Sequence, residues 1–136
     1  MAEWIEPTTD WSASDFFNAT DYNRIIGNLA YLKAYLDGLF IGLTNISTME
    51  EKTATSLIYA REINAIETAL EQLNIETYKF DIGETKEYMT NTRTIDFVEL
   101  NRIESAILLL YRQMVNHKEN LTRLAFTLGG QKGIKV

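Results

Sequence analysis

The chain has 136 residues, 46% hydrophobic and 24% charged, with a net charge of −6, one proline and no cysteine. That is one domain's worth of chain, able to bury about two-thirds of its unfolded surface, and it excludes wholesale disorder, disulfides and thiolate metal sites. The acidic balance and the absence of a Lys/Arg stripe argue against nucleic acid as a partner, because a phosphate-binding groove needs clustered cations to displace counterions.

The opening Met1-Ala2-Glu3-Trp4-Ile5-Glu6 is acidic and lacks the apolar core of a secretion signal. The longest apolar run, Ala106 to Tyr111, is far shorter than a membrane span. The expectation is a soluble protein with no membrane partner.

Residues 1–17 read as an N-terminal aromatic arm carrying Trp4, Pro7 and Trp11. Asn18 stands three residues before Asp21, a capping box ahead of an apolar run. That run, Tyr22, Ile25, Leu29, Leu32, Leu36, Leu39 and Leu43, steps by threes and fours and predicts a helix from about 18 to 43. Tyr59, Ile63, Ile66, Leu70 and Leu73 mark a second helix. Between about 77 and 93 apolar and polar residues alternate up to the turn signal Gly83-Glu84, which predicts an irregular insert, a short strand or a hairpin. Asp96 stands three residues before Glu99 and opens the longest seam: Leu100, Ile103, Ile107, Leu110, Met114, His117, Leu121, Leu124 and Leu128. Gly129-Gly130 is its stop signal, and the tail from 129 to 136 reads as flexible or ordered only by a partner. The pattern predicts an all-α bundle of three long helices over 18–128, the third overhanging its neighbours.

The helices share a phrase. Asp21-Tyr22-Asn23-Arg24-Ile25 matches Glu99-Leu100-Asn101-Arg102-Ile103, with a fainter copy in Glu62-Ile63-Asn64-Ala65-Ile66. Asparagine is a middling-to-poor helix former because its amide competes for nearby backbone groups. Its return at 23, 64 and 101, beside each seam, predicts that Asn23, Asn64 and Asn101 bond to a neighbouring helix end or loop and set the helix alignment.

Catalytic chemistry is not expected. The single histidine, His117, falls on a seam and reads as a core or boundary residue, and one histidine cannot supply the two Glu-x-x-His pairs of a di-metal helical site. Glu50, Glu51, Glu62, Glu67, Glu71 and Glu104 read as solvated helix faces. Gly129-Gly130-Gln131-Lys132-Gly133 follows a helix, whereas a phosphate loop opens one. No catalytic residue, cofactor or metal ligand is assigned.

Apolar residues off the seams are the more informative excess. Leu108, Leu109 and Tyr111 make the middle of the third helix apolar nearly all round; Tyr31 and Tyr35 flank the first seam, and Phe40 and Ile41 crowd its end. With Trp4, Trp11 and Phe126 they form a set of candidate interface residues, to be covered either by a partner, a second copy included, or by the arm and the 77–93 insert.

The stretch from Trp11 through Asp15-Phe16-Phe17-Asn18 to Asp21-Tyr22-Asn23-Arg24-Ile25, followed by Asn28 and Tyr31-Leu32, resembles a phrase near the start of small structural proteins from the tail and baseplate region of phages and prophages of Gram-positive bacteria. The ending Arg123-Leu124-Ala125-Phe126-Thr127-Leu128-Gly129-Gly130 is similar to phage structural chains as well. Ile26 stands where that pattern has a glutamate, although Glu67 and Glu104 fill the equivalent place in the other two helices. The resemblance implies a virion structural or adaptor protein of a tail, baseplate or tail-fibre region. It would assemble in the host cytoplasm with other phage subunits and with copies of itself. The alternatives are an assembly chaperone or regulator outside the virion, or a nucleic-acid-associated phage protein, which the acidic balance disfavours.

Overall fold

The computed structural model describes residues 3–44, 49–55, 57–89 and 95–130, with the helical backbone alone for 125–130. It contains three helices, α1 (Ala19–Leu36), α2 (Ala60–Ile75) and α3 (Phe97–Gly130), each packed on the other two, and no strand among the described residues. The fold is an all-α three-helix bundle.

Each helix start has an acid at its third position. Asn18 accepts from the Asp21 amide while Asp21 accepts from the Asn18 amide; Glu62 accepts from the Tyr59 amide; and Asp96 accepts from the Glu99 amide. These bonds satisfy amide groups that a helix start leaves without internal partners. The apolar residue just before each cap, Phe17, Ile58 or Ile95, turns inward onto the core.

The three helices run in the same direction. Near their starts, Arg24 of α1 meets Glu104 of α3, and Arg102 of α3 meets Glu67 of α2. At the far end Phe40, just beyond α1, packs edge-on against Tyr78, just beyond α2, and both lie against His117 of α3. Parallel neighbours cannot be joined by tight turns, so the chain travels back along the bundle in two long connections, described over 37–44, 49–55 and 57–59 and over 76–89 and 95–96. With the N-terminal arm they form three straps, one ahead of each helix.

The core lies between the helices: Tyr22, Ile25, Leu29, Leu32 and Leu36 from α1, Ile63, Ile66, Leu70 and Leu73 from α2, and Leu100, Ile103, Ile107, Leu110 and Met114 from α3 are buried. Three sequence expectations are corrected. The first helix ends at Leu36, not near 43, and Leu39 and Leu43 reach the core from the connection that follows. The 77–93 insert makes no strand or hairpin over 77–89, while 90–94 lie outside the described residues. The physical reason is that side-chain amides take the places a partner strand would offer: Asn74 holds both backbone groups of Phe80 and Asn64 both of Tyr88. The third helix overhangs as its seam predicts. It also runs through Gly129 and Gly130, which the sequence marks as its stop and the start of a flexible tail, because glycine lowers helix stability without forbidding helix; the remainder of that tail, 131–136, falls outside the described residues.

Candidate functional site

The three repeated asparagines all do the same thing. Asn101 of α3 accepts from the Trp11 amide (2.7 Å) and donates to the Trp11 carbonyl (3.0 Å). Asn23 of α1 holds Lys52 in the same way (2.7 and 2.8 Å), and Asn64 of α2 holds Tyr88 (2.7 and 2.9 Å). A carboxamide presents one acceptor and one donor side by side, matching the N–H and C=O that an extended residue turns to one side. Trp11, Lys52 and Tyr88 stand seven or eight residues before the caps Asn18, Tyr59 and Asp96. Each helix therefore grips the strap that leads into the next, and the last grips the strap of the first. The result is a closed ring with internal three-fold character. Asn28 clamps Ile5 in the same way (3.0 and 2.8 Å), which with the Trp11 clamp and a bond from the Thr8 amide to Glu104 lays the arm along α1 and α3.

Beside two of the clamps lies a buried carboxylate. Glu104, 0% exposed, receives Arg24 through two bonds (2.9 and 2.8 Å), the Trp11 indole N–H and the Thr8 amide. Glu67, 1% exposed, receives Arg102 and the Tyr88 hydroxyl through Oε2, while Oε1 finds no partner among the described residues. The reading of Glu67 and Glu104 as solvated faces is thus overturned, because each sits on the core side of its helix where a cation from the next helix reaches it. Glu50, Glu51 and Glu71 are exposed, and Glu62 is half-buried in an ion pair with Lys52 (2.8 Å).

Electrostatics follows from this geometry. Burial works against the Arg24 charge, but the hydrogen bonds and charges of Glu104 and then Asp21 outweigh it and hold the guanidinium above its ordinary pKa. Arg102 is raised likewise, by Glu99 and Glu67 against burial. Burial and the neighbouring Glu67 push the Tyr88 phenol far up. Glu62 is lowered, because bonds to Lys52 and the Tyr59 amide exceed the opposing effect of burial. Gly83, at φ +82°, passes so close to Arg102 that an added Cβ would lie 2.6 Å from the arginine Cδ. The turn that the sequence marks at Gly83 therefore closes the strap over this ion pair.

Between α1 and α2 the repeat is degenerate. Where α1 and α3 have Arg24 and Arg102, α2 has Ala65; where α2 and α3 have Glu67 and Glu104, α1 has Ile26; and where the other straps bring Trp11 and Tyr88, this one brings Lys52, which pairs with Glu62. The buried acid, its arginine and its aromatic donor are all missing together from the α1–α2 seam.

The candidate interface residues divide. Trp4 stacks on Tyr111 (centroids 3.8 Å apart, 5° between planes), and Tyr31 lies against both and against Tyr35. Trp11 is buried and Phe40 packs on Tyr78 and His117, so these off-seam aromatics are covered by the arm and the connections of the same molecule. Leu108 is half-buried, whereas Leu109 is partly exposed and Ile41 fully so. Phe126 lies on α3, but its side chain is outside the described set. His117 is half-buried, with Nδ1 2.9 Å from the Tyr78 hydroxyl. Sequence reasoning missed the two acid–arginine pairs. Their signal was the arginine after the repeated asparagine and the glutamate two positions later.

The class defined by these observations is an all-α bundle closed by side-chain-to-backbone clamps. Compared with known proteins, the chain matches no family model, no curated protein and no solved structure.

Proposed function

We propose that this protein is a non-enzymatic structural or adaptor subunit of a phage virion, in the tail, baseplate or tail-fibre region, and that it acts by protein–protein assembly. The observation that carries the reading is the use made of the phrase from Trp11 to Asn28, which supplies the resemblance to phage structural proteins. Asn18 and Asp21 cap α1, Asn23 and Asn28 hold straps, and Arg24 and Trp11 meet Glu104. Those side chains build a shape and are occupied in doing so.

What such a shape offers to others is its uncovered apolar residues: Phe16, Ile41, Leu57, Val98, Leu109, Leu121 and Leu124 are exposed at the surface. Large exposed apolar side chains grouped on a surface mark contact sites more often than chance positions do. Mass spectrometry of purified particles from a phage or prophage encoding the chain tests the reading. The expected result is the chain at a fixed stoichiometry to the tail proteins. Its absence from particles, with presence in assembly intermediates, would replace this reading by that of an assembly chaperone.

A further inference from the structure

Because the three helices run parallel, the molecule has two unlike ends, and each is left apolar. At the start end, Phe16 and Leu57 occupy the same place in the repeat, two residues before the caps Asn18 and Tyr59. They are 88% and 69% exposed, although the residues that follow, Phe17 and Ile58, turn into the core. The third unit contributes Phe97 and Val98, the first two residues of α3, both exposed. Exposed acids accompany them: Asp10, Asp15 and Asp96, with Glu50 and Glu51 in the strap held at Lys52, against Arg61.

At the other end α1 and α2 stop at Leu36 and Ile75, while α3 continues to Gly130. Met114 is its last buried core residue; from there to Gly130 is about 24 Å at 1.5 Å per residue. Leu121 and Leu124 continue the same seam, 46% and 56% exposed. The projecting part of α3 is opposite in charge to the first end: Lys118 and Arg123 stand against Glu119.

We infer that copies of this chain associate head to tail, the projecting end of α3 from one copy seating on the start end of the next. Leu121 and Leu124 meet the apolar group of Phe16, Leu57, Phe97 and Val98, and the basic end lies among the acids. Charge decides against the symmetrical alternative, because two acidic start ends placed face to face repel. The negative pole of the α3 dipole also comes toward three helix starts, the favourable sense. Such a contact uses a different surface on each copy, so it propagates instead of closing at two. This deepens the assembly reading by naming one partner, a second copy, and rests on that reading only for its setting in a virion.

Sedimentation velocity of the full chain over rising protein concentration tests it. Wild-type protein is expected to grow beyond a dimer, and less so as salt rises from about 0.1 to about 1 M, over which the screening length falls from ~10 Å to ~3 Å. Phe16→Ser with Leu57→Ser removes one end, and Leu121→Ser with Leu124→Ser the other. All four residues are exposed, so helix content and melting temperature should hold. Each double variant alone is expected to stay monomeric, while an equimolar mixture forms a heterodimer that grows no further. A wild-type chain that remains monomeric, or stops at a dimer, overturns the inference, as does a mixture that fails to pair. Detection of the chain in purified particles is independent of these outcomes, so failure here leaves the virion reading to its own test.

Discussion

The seams of this bundle solve one packing problem in two ways. Between α1 and α3, and between α3 and α2, a buried glutamate takes an arginine from the neighbouring helix and an aromatic hydrogen-bond donor from a strap. Between α1 and α2 the equivalent positions are Ile26 and Ala65, and the strap residue Lys52 pairs with Glu62. The difference teaches that a buried ionic set is kept or lost whole. A lone buried charge is costly, whereas an apolar replacement of the entire set is close to neutral.

The strongest way to break this comparison is Glu104→Ala. It leaves the Trp11 indole and the Thr8 amide without their acceptor and Arg24 with Asp21 alone, and a loss of about 4 kcal/mol in urea unfolding is expected. Glu67→Ala should cost less, about 2–3 kcal/mol, because Glu67 receives two donor groups where Glu104 receives three, while each arginine keeps the acid three residues before it (Asp21 at 3.0 Å, Glu99 at 2.7 Å). Equal losses for the two would mean that the number of satisfied donors does not set the scale. Next come the clamps: Asn23→Ala, Asn64→Ala and Asn101→Ala should each lose about 1–2 kcal/mol, from two bonds to part-buried backbone. Losses confined to the surface range of about 0.5 kcal/mol would show the clamps to be incidental.

Copying the apolar seam onto the α3–α2 pair sharpens the contrast. The triple change Glu67→Ile, Arg102→Ala and Tyr88→Phe should stay within about 1 kcal/mol of wild type although Glu67→Ala alone does not. The smallest expected effect is at alkaline pH. Tyr22, Tyr78 and Tyr88 are all raised above 10.0 by burial. Raised acids favour the neutral form in the fold, so their contribution is complete below pH 10 and falls as the pH climbs through the folded-state values. Tyr88→Phe should flatten that decline, measured as the melting temperature between pH 9 and pH 11.

The helices, the cap at Asn18 and the importance of Asn23, Asn64 and Asn101 are all legible in the residues, because apolar period and capping chemistry are local signals. The direction of the helices was only indirectly so. The connections before Tyr59 and Asp96 are much longer than the few residues that join antiparallel neighbours, which is what parallel helices require. The burial of Glu67 and Glu104 was not legible from their own helices. Whether a glutamate beside a seam meets water or an arginine depends on the neighbouring helix, and the repeat displays that relation only once the three units are seen to close in a ring. The insert was misread as a possible strand because its alternation is real. Phe80 and Tyr88 do face inward, but asparagine side chains supply their backbone bonds.

Native-state hydrogen exchange at the amides of Trp11, Lys52 and Tyr88 probes the ring of clamps most directly. Each donates to an asparagine Oδ1 at 2.7 Å, in segments that have no strand partner among the described residues. The structure predicts slow exchange at all three, and selective loss of protection at Trp11 in Asn101→Ala, at Lys52 in Asn23→Ala and at Tyr88 in Asn64→Ala. Exchange at the rate of an unstructured chain in the wild-type protein would contradict it.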